Sequence, residues 1–159
     1  MNEYPVKPIG GKVANDNGNE LEVFIEGILS RKGYQFIDKK KFTSAIYLEQ
    51  PIYSRQVFIG QSIYNTKLYC DFYIYHPTLW PEGLLIESKW QQTAGSVDEK
   101  YPFLVLNIKQ KYPTKTIILI DGGGYKKQAE EWLRDQTDNK LLKVMNMSEF
   151  QQWSNKNHL

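Results

Sequence analysis

The sequence predicts an α/β fold, or α+β by stricter labels, in which one mixed β-sheet is flanked by helices. Segments with the helical spacing of apolar residues alternate with segments that have the composition of strands. The run TIILI at 116–120 is continuously apolar, which is typical of a strand covered on both faces. A length of 159 residues suits a single core, because two cores would leave each half near the limit of unaided stability.

The first half of the chain is predicted to begin with an arm and a helix. Residues 1–18 are rich in Gly, Pro, Asn and Asp and are expected to form a flexible N-terminal arm, followed by a single domain over 19–159. Asn19 is the expected N-cap, and Gly33 ends the helix. The apolar residues of that helix repeat at helical spacing: Leu21, Phe24, Ile25, Ile28 and Leu29.

Strand signals follow this helix. A short strand is expected at 34–37, a basic turn (KKKFTS) at 39–44 and a longer strand at 52–59. The segments KLYCDFYIY (67–75) and GLLIESKW (83–90) are predicted to form adjacent strands, joined by the turn HPTLWPE. This hairpin is the most informative part of the sequence.

The second half is predicted to alternate helices and strands. A helix with Pro102 in or near its first turn follows the hairpin, its apolar positions being Val97, Tyr101, Leu104, Val105 and Ile108. The TIILI strand, a DGGG turn and a helix at 125–136 come next, then a strand at 141–145 and a short helix from Ser148, its expected cap, through Trp153. The predicted order of the elements is α-β-β-β-α-β-α-β-α.

Composition excludes several classes of protein. The single cysteine, Cys70, can form neither an internal disulfide nor a Cys-based zinc site, which fits a reducing compartment and predicts a cytoplasmic location. No run approaches the roughly twenty apolar residues of a membrane span, and the N-terminus lacks the apolar stretch of a signal peptide. His76 and His158 have no set of Cys or His partners that would complete a zinc site or a nucleophilic triad.

Charged residues on the predicted hairpin carry the chemistry. Asp71 lies in a strand otherwise made of Tyr, Phe, Ile and Cys, where an unpaired charge would be costly. Glu87 and Lys89 are two residues apart on the next strand, so strand periodicity directs both side chains to one face. Pairing of the two strands would bring the Cβ atoms of Asp71 and Glu87 to within about 5 to 8 Å.

Two carboxylates this close repel each other unless a cation joins them. Oxygen ligands of this kind suit Mg²⁺ or Mn²⁺, which keep several waters and also bind substrate phosphate. Lys89 could orient or deprotonate the attacking water, or stabilise the charge of the transition state, and phosphodiester hydrolysis is the natural use of such a site. The alternative is a simple ion pair, in which Lys89 neutralises Asp71 and Glu87 on a solvated sheet face.

This constellation resembles the PD-(D/E)xK nuclease superfamily. Asp71 is followed sixteen positions later by Glu87-Ser88-Lys89 on a hairpin, although Cys70 replaces the proline of the motif. The GNELE stretch around Glu22 is similar to the acidic helix that precedes the hairpin in that superfamily. The segments WQQTAGSVDEKYPF and TIILIDGGGYKKQAEEWL are similar to its later elements, so the resemblance spans residues 18–136.

The resemblance implies a restriction-endonuclease-like fold and a metal-dependent DNA endonuclease. Asp71 and Glu87 would bind Mg²⁺, with Mn²⁺ able to substitute, and Glu22 would assist as a helix acid, with Glu20 as the alternative. Gln91, two residues beyond Lys89, would be an accessory residue of the site.

Substrate contacts and assembly are wider expectations. Candidates for contacts to DNA phosphates are Lys100, Lys126 and Lys127. One active site cuts one strand, so cleavage of a duplex would suggest a homodimer or homotetramer. A junction-resolving or nicking nuclease and a non-catalytic nucleic-acid-binding module on the same fold stay open, and DGGG is read as a tight turn rather than a phosphate site.

Overall fold

A single mixed sheet of six strands organises the computed structural model, which describes the backbone of residues 10–159 and the side chains from Glu20 onward. The strands follow one another across the sheet in chain order. Their bounds are β1 (Gln35–Phe36), β2 (Ile52–Gln61), β3 (Lys67–His76), β4 (Trp80–Trp90), β5 (Thr116–Asp121) and β6 (Leu141–Met145). The predicted mixed sheet with flanking helices is confirmed.

Five α-helices accompany the sheet within the described residues. They are α1 (Gly10–Arg31), α2 (Phe42–Ala45), α3 (Tyr101–Gln110), α4 (Lys127–Asp135) and α5 (Met147–Trp153). Short 3-10 segments lie at Ile46–Leu48 and Asp98–Lys100, and a π-helical turn at Ser154–His158 ends the chain. None of the helices described here is long and apolar enough to cross a membrane.

The pairing of neighbouring strands changes from antiparallel to parallel at β4. β2, β3 and β4 pair antiparallel, whereas β4, β5 and β6 pair parallel, and β1 pairs parallel with β2. Parallel strands need a crossover connection, which α3 and α4 supply. The four residues from Ile117 to Ile120 are completely buried, as the continuous apolar run predicts.

The two faces of the sheet carry separate cores. Helices α1 and α5 cover one face, where Ile25, Leu29 and Phe150 pack against strand residues such as Phe72. Helices α3 and α4 cover the other face, with Tyr101 and other residues packed against Leu85 and Ile118. We call these the α1 face and the α3 face.

The ribbon formed by β2 and β3 exchanges faces along its length. Phe72 packs on the α1 face, but Cys70, two residues earlier, packs on the α3 face. A spacing of two residues normally keeps side chains on one face, so the ribbon twists sharply between them. Gln56, next to the paired residue Arg55, has a φ of 50°, in the left-handed region that non-glycine residues rarely adopt. The ribbon reverses its faces at the level of Gln56 and Asp71.

Two ends of helices differ from the sequence prediction. Helix α1 begins at Gly10, so the predicted boundary at Asn19 falls inside the helix, and residues 1–9 of the predicted arm lie outside the described residues. A helix held by packing can grow toward its N-terminus at one hydrogen bond per residue, without periodic apolar positions. Helix α5 is capped by Asn146, not Ser148, in a capping box with Glu149.

The connections also differ in detail. Four strands precede α3, which agrees with the four predicted strand segments but is one more than the predicted order contains. Residues 42–44 of the predicted basic turn belong to the short helix α2, which buries Phe42 and Ala45 and was not predicted. Strand β4 begins at Trp80, inside the segment expected to be a turn, and His76 pairs with Trp80. The hairpin is therefore tighter than the prolines suggested.

Candidate active site

Asp71 lies where β3 and β4 cease to pair. The ladder between these strands extends to the pair Phe72 and Ile86 and stops there. Beyond it, the backbone N–H of Ser88 donates to Oδ2 of Asp71 at 2.8 Å. The Asp71 side chain thus satisfies a donor that the neighbouring strand no longer pairs.

Gln56 holds the other carboxylate oxygen of Asp71. Its Nε2 donates to Oδ1 of Asp71 at 3.2 Å, from the point where β2 adopts the left-handed conformation. The two hydrogen bonds fix the carboxylate in place between β2 and β4. Gln56 was not anticipated, because its role depends on a positive φ that sequence does not announce.

Glu87 and Lys89 project together from β4 on the α3 face. Nζ of Lys89 lies 3.6 Å from Oε2 of Glu87 and 3.7 Å from Oδ2 of Asp71. Glu87 is only 2% exposed, and the hydroxyl of Tyr112 donates to its Oε1 at 2.7 Å. Two carboxylates and one ammonium therefore converge at one place.

Burial and like charge act strongly on Glu87. Desolvation, followed by repulsion from the Asp71 carboxylate, raises the pKa of Glu87 to about 8. The attraction of Lys89 opposes this rise without cancelling it. Glu87 therefore releases its proton less readily than an ordinary carboxyl group, and a further positive charge beside it would favour that release.

Lys89 experiences the opposite balance. Burial acts to lower the pKa of its ammonium group, but the carboxylates of Asp71 and Glu87 outweigh that effect and raise the pKa. The lysine is therefore positively charged at neutral pH.

A cavity of about 470 Å³ opens beside these three side chains. Asp71, Glu87 and Lys89 line it together with residues of α3, and Tyr112 closes one wall. A small molecule or an ion can thus approach the carboxylates from solvent. The cavity distinguishes this cluster from an ion pair on a solvated face.

The donor set fits a hard divalent cation with few protein ligands. Among residues 20–159 no group of three or more His, Cys, Asp or Glu side chains is placed to hold a metal ion. Asp71 and Glu87 form a pair, and Mg²⁺ characteristically binds one or two carboxylates and fills its other positions with water and substrate phosphate. A closed zinc site, by contrast, needs ligands that this place lacks.

The structure does not bring the predicted helix acid to this pair. Glu22 makes an ion pair with Arg55, and Oε1 of Glu26 accepts from Nη1 of the same arginine at 2.8 Å. The Arg55 guanidinium lies 5.3 Å from the ring centroid of Phe72, on the α1 face. Glu20, the alternative, is exposed. Helical phase from sequence placed Glu22 correctly at the edge of the apolar stripe but could not identify its partner.

Gln91 lies at the end of β4, outside the cavity. It is 5% exposed, and its Nε2 donates to the carbonyl oxygen of Gly124 at 3.2 Å. The DGGG turn packs directly against it, since a Cβ atom on Gly122 would lie 2.4 Å from the Gln91 oxygen. Gln91 and the glycines thus hold the end of β4 against the turn, which agrees with the interpretation of DGGG as a tight turn.

The predicted DNA-binding lysines fall in two places. Lys100 is exposed and lines the same cavity as Asp71 and Glu87. Lys126 and Lys127 lie at the beginning of α4, and Nζ of Lys127 is 3.7 Å from a carboxylate oxygen of Glu131. The structure thus associates one of the three with the site.

Tyr112 is a residue of the site that sequence reasoning missed. It follows α3 and reaches Glu87 across 25 positions of sequence. Nothing in the sequence around Tyr112 indicates this role, and only the tertiary contact shows that its hydroxyl donates to a carboxylate.

Comparison with known proteins gives one match. A family model described as a PD-(D/E)XK nuclease superfamily domain matches residues 13–158 of the chain. No curated protein and no solved structure matches it.

Proposed function

Because the chain belongs to the PD-(D/E)XK nuclease superfamily, we propose that it is a metal-dependent endonuclease that hydrolyses phosphodiester bonds of DNA. The observation that carries this proposal is the convergence of Asp71, Glu87 and Lys89 at one cavity, with Nζ of Lys89 within 3.7 Å of both carboxylates. A nuclease that binds phosphate through a divalent ion needs this combination of charges.

Asp71 and Glu87 are the residues that would hold the ion, Mg²⁺ by preference and Mn²⁺ as a substitute. When bound, the ion would neutralise phosphate charge and lower the pKa of a water molecule. Ser88 and Gln56 hold the Asp71 carboxylate, and Tyr112 holds that of Glu87. The two carboxylates are therefore oriented before any ligand arrives, which reduces the cost of binding.

Lys89 acts as a fixed positive charge. A protonated lysine donates hydrogen bonds but cannot accept a proton. Because the pKa of Lys89 is raised, the lysine is better suited to orienting water or stabilising negative charge than to deprotonating water. We assign Lys89 to orienting the attacking water and to stabilising the charge that develops on the phosphate, rather than to deprotonating the water. Its side chain is 32% exposed, which leaves the ammonium accessible to a substrate in the cavity.

DNA, the assembly and the location are further parts of the proposal. Lys100 at the cavity rim is the lysine best placed to contact a phosphate next to the one that is cut. One cavity serves one strand, so we expect a homodimer or homotetramer if both strands of a duplex are cleaved. Cytoplasmic residence stays a prediction from the single cysteine.

Plasmid cleavage tests this function. Supercoiled DNA is incubated with the protein in Mg²⁺, Mn²⁺, Ca²⁺ or EDTA, beside the variant Glu87→Gln, which keeps the shape of the side chain but removes its charge. We expect nicked or linear DNA in Mg²⁺ and Mn²⁺ with the natural protein only. Linear and branched DNA are tested in parallel, and binding is measured by gel shift. Binding without cleavage in every divalent ion would instead identify a nucleic-acid-binding module on the same fold, and cleavage restricted to branched DNA would identify a junction-resolving enzyme.

A further inference from the structure

Two exposed aromatic rings form part of the wall of the cavity. Tyr69, on β3, is 47% exposed, and Phe103, on α3, is 38% exposed. Both residues line the same cavity as Asp71, Glu87 and Lys89. Large aromatic side chains left in contact with water lose the benefit of burial, so their presence beside a candidate active site calls for a ligand.

Each of these rings is supported by a second ring. Phe58, the cross-strand partner of Tyr69, lies with its ring centroid 5.7 Å away. Tyr64 stacks on Phe103 at 5.0 Å with an interplanar angle of 30°. Aromatic pairs at such distances are attractive, so both rings are held in position before a ligand binds.

The turn between β2 and β3 is joined to α3 by a hydrogen bond to Asn107, which is itself held within the helix. The backbone N–H of Ile63 donates to Oδ1 of Asn107 at 2.9 Å, and Nδ2 of Asn107 donates to the Phe103 carbonyl at 2.9 Å. Asn107 itself is 1% exposed. The aromatic part of the cavity is therefore built from two elements that are fixed to each other.

The ligand chemistry follows from what shares the cavity. Carboxylates that would bind a cation, together with the ammonium of Lys89 and the exposed Lys100, suit a phosphate, whereas Tyr69 and Phe103 suit a flat apolar ring. A nucleotide combines both parts in one covalent unit. Bases stack on aromatic side chains without regard to sequence, because every base has a π-face.

The base must be unpaired to use these rings. In a duplex both faces of each base are already stacked on their neighbours, and exposing one requires extrusion or a single-stranded region. We infer that the cavity binds an unpaired nucleobase adjacent to the phosphate that is cleaved, stacked on Tyr69 or Phe103, and that the preferred substrate is DNA with a single-stranded segment. This inference rests on the proposed nuclease function, and it names the substrate class of the same site.

Binding of a fluorescent base tests the inference without any need for cleavage. The probe is an oligonucleotide duplex with one unpaired 2-aminopurine, compared with the fully paired duplex, in Ca²⁺. Stacking of 2-aminopurine on an aromatic ring should quench its fluorescence. We expect quenching with the unpaired probe, and tighter binding of that probe than of the paired duplex.

Variants locate the stacking surface. Tyr69→Leu and Phe103→Leu keep apolar cover but remove the ring, and together they should weaken binding of the unpaired probe roughly five- to hundredfold while leaving the paired duplex unchanged. Tyr47→Leu is the matched control, since Tyr47 is 88% exposed on the 3-10 segment and does not line the cavity. Thermal melting checks that each variant is folded. A double variant that binds and quenches like the natural protein would overturn the inference.

Cleavage assays in Mg²⁺ separate this inference from the proposed function. If the natural protein cuts paired and unpaired DNA equally well and quenches neither probe, the nuclease function stands and the inference falls. If it quenches the unpaired probe but cuts no DNA, the base site stands and the nuclease function falls. If it binds neither probe, both fall.

Discussion

Two clusters of identical charge composition lie on opposite faces of the same sheet. On the α1 face, Glu22 and Glu26 surround Arg55, and on the α3 face, Asp71 and Glu87 surround Lys89. Each cluster contains two carboxylates and one base. A count of charges does not tell them apart.

Geometry separates the two clusters. Arg55 makes direct hydrogen bonds to both of its glutamates, one of them at 2.8 Å, and Glu26 also accepts from the hydroxyl of Tyr53 at 2.8 Å. Lys89 stays 3.6 and 3.7 Å from its carboxylates, beyond ordinary hydrogen-bond distance, and a cavity adjoins it. The charges of the first cluster are hydrogen-bonded directly to one another, and we call it the closed cluster. The second, which we call the open cluster, adjoins a cavity that has room for another partner.

The comparison separates a cluster whose charges pair with one another from a cluster that leaves carboxylate oxygens available beside a cavity. An arginine fork matches carboxylate geometry, so Arg55 satisfies its acids and joins α1 to β2. A lysine is a compact charge that leaves carboxylate oxygens available. Burial and the nearby Asp71 carboxylate raise the pKa of Glu87 in spite of Lys89, and a divalent ion between the two carboxylates would oppose that rise.

The largest effect is expected from removing Lys89, the positively charged residue of the open cluster. Lys89→Ala deletes the charge assigned to water and phosphate but leaves both carboxylates, so DNA cleavage should fall about 100- to 1,000-fold or more. Binding of DNA in Ca²⁺, measured by fluorescence anisotropy, should largely survive, which distinguishes a lost chemical step from a lost complex. Equal cleavage by the variant and the natural protein would remove the functional distinction between the two clusters.

Asp71→Asn should impair the same site at an earlier step. The amide oxygen can still accept from the Ser88 N–H, but the loss of charge weakens attraction for a cation. We expect activity that is absent or that requires a much higher Mg²⁺ concentration, determined by titrating the metal against initial rate. An unchanged requirement for Mg²⁺ would show that Asp71 is not a metal ligand.

Glu87 predicts a dependence of stability on pH in EDTA. The pKa of Glu87 rises from 4.5 to about 8 on folding, so the stability that its proton supplies is complete below pH 4.5 and is lost as pH rises through about 8. Glu87→Gln carries no titrating group there and should not show this loss. Urea unfolding of both proteins between pH 5 and about 9 measures the difference, which Mg²⁺ should reduce at the alkaline end. Parallel curves for the two proteins would contradict the burial of this charge.

Among the substitutions in the two clusters, that of Arg55 in the closed cluster should have the smallest effect, and it should change stability alone. Arg55→Met keeps apolar cover over Phe72 but leaves Glu22 and Glu26 without their base, which should cost about 1 to 3 kcal/mol of unfolding free energy, less than a fully buried pair. Activity per folded molecule should be unchanged.

A second substitution gives the scale for this loss. Lys127→Met removes an ion pair whose side chains are 84% and 61% exposed, and it should cost at most about 0.5 kcal/mol. If Arg55→Met abolished cleavage in protein that remains folded, the division between a structural and a functional cluster would be wrong.

Local patterns predicted the centre of the site, and tertiary contacts supplied the rest. The spacing of two between Glu87 and Lys89 was sufficient to place them on one face, because β4 keeps the regular alternation of a strand there, unlike β3 between Cys70 and Phe72. Asp71 stood out because a charge inside an apolar strand needs a reason. No local pattern could reveal that Tyr112 orients Glu87 or that Arg55 takes up Glu22, since both contacts join distant segments.

Some differences could have been avoided and others could not. The capping box of α5 was visible in the sequence, because Asn146 is followed three residues later by Glu149. The start of α1 at Gly10 could not be read from periodicity, since residues 10–18 have none. The exchange of faces in the β2–β3 ribbon occurs where Gln56 adopts a left-handed backbone conformation, and nothing in the sequence around a glutamine predicts that conformation.

The hydrogen bond from Ser88 to Asp71 has an evolutionary consequence. The Asp71 side chain hydrogen-bonds β4 to β3 where the backbone pairing of the two strands has ended. An apolar residue at this position would leave the Ser88 N–H without its acceptor, at a cost of about 1 to 3 kcal/mol. Within residues 20–159, the ammonium of Lys89 contacts the side chains of Asp71 and Glu87 rather than a backbone group. A descendant released from selection for cleavage would therefore lose the lysine first and retain Asp or Asn at 71. Inactive relatives of this chain should therefore be recognisable by an acid or amide at the position of Asp71 and the absence of a lysine at the position of Lys89.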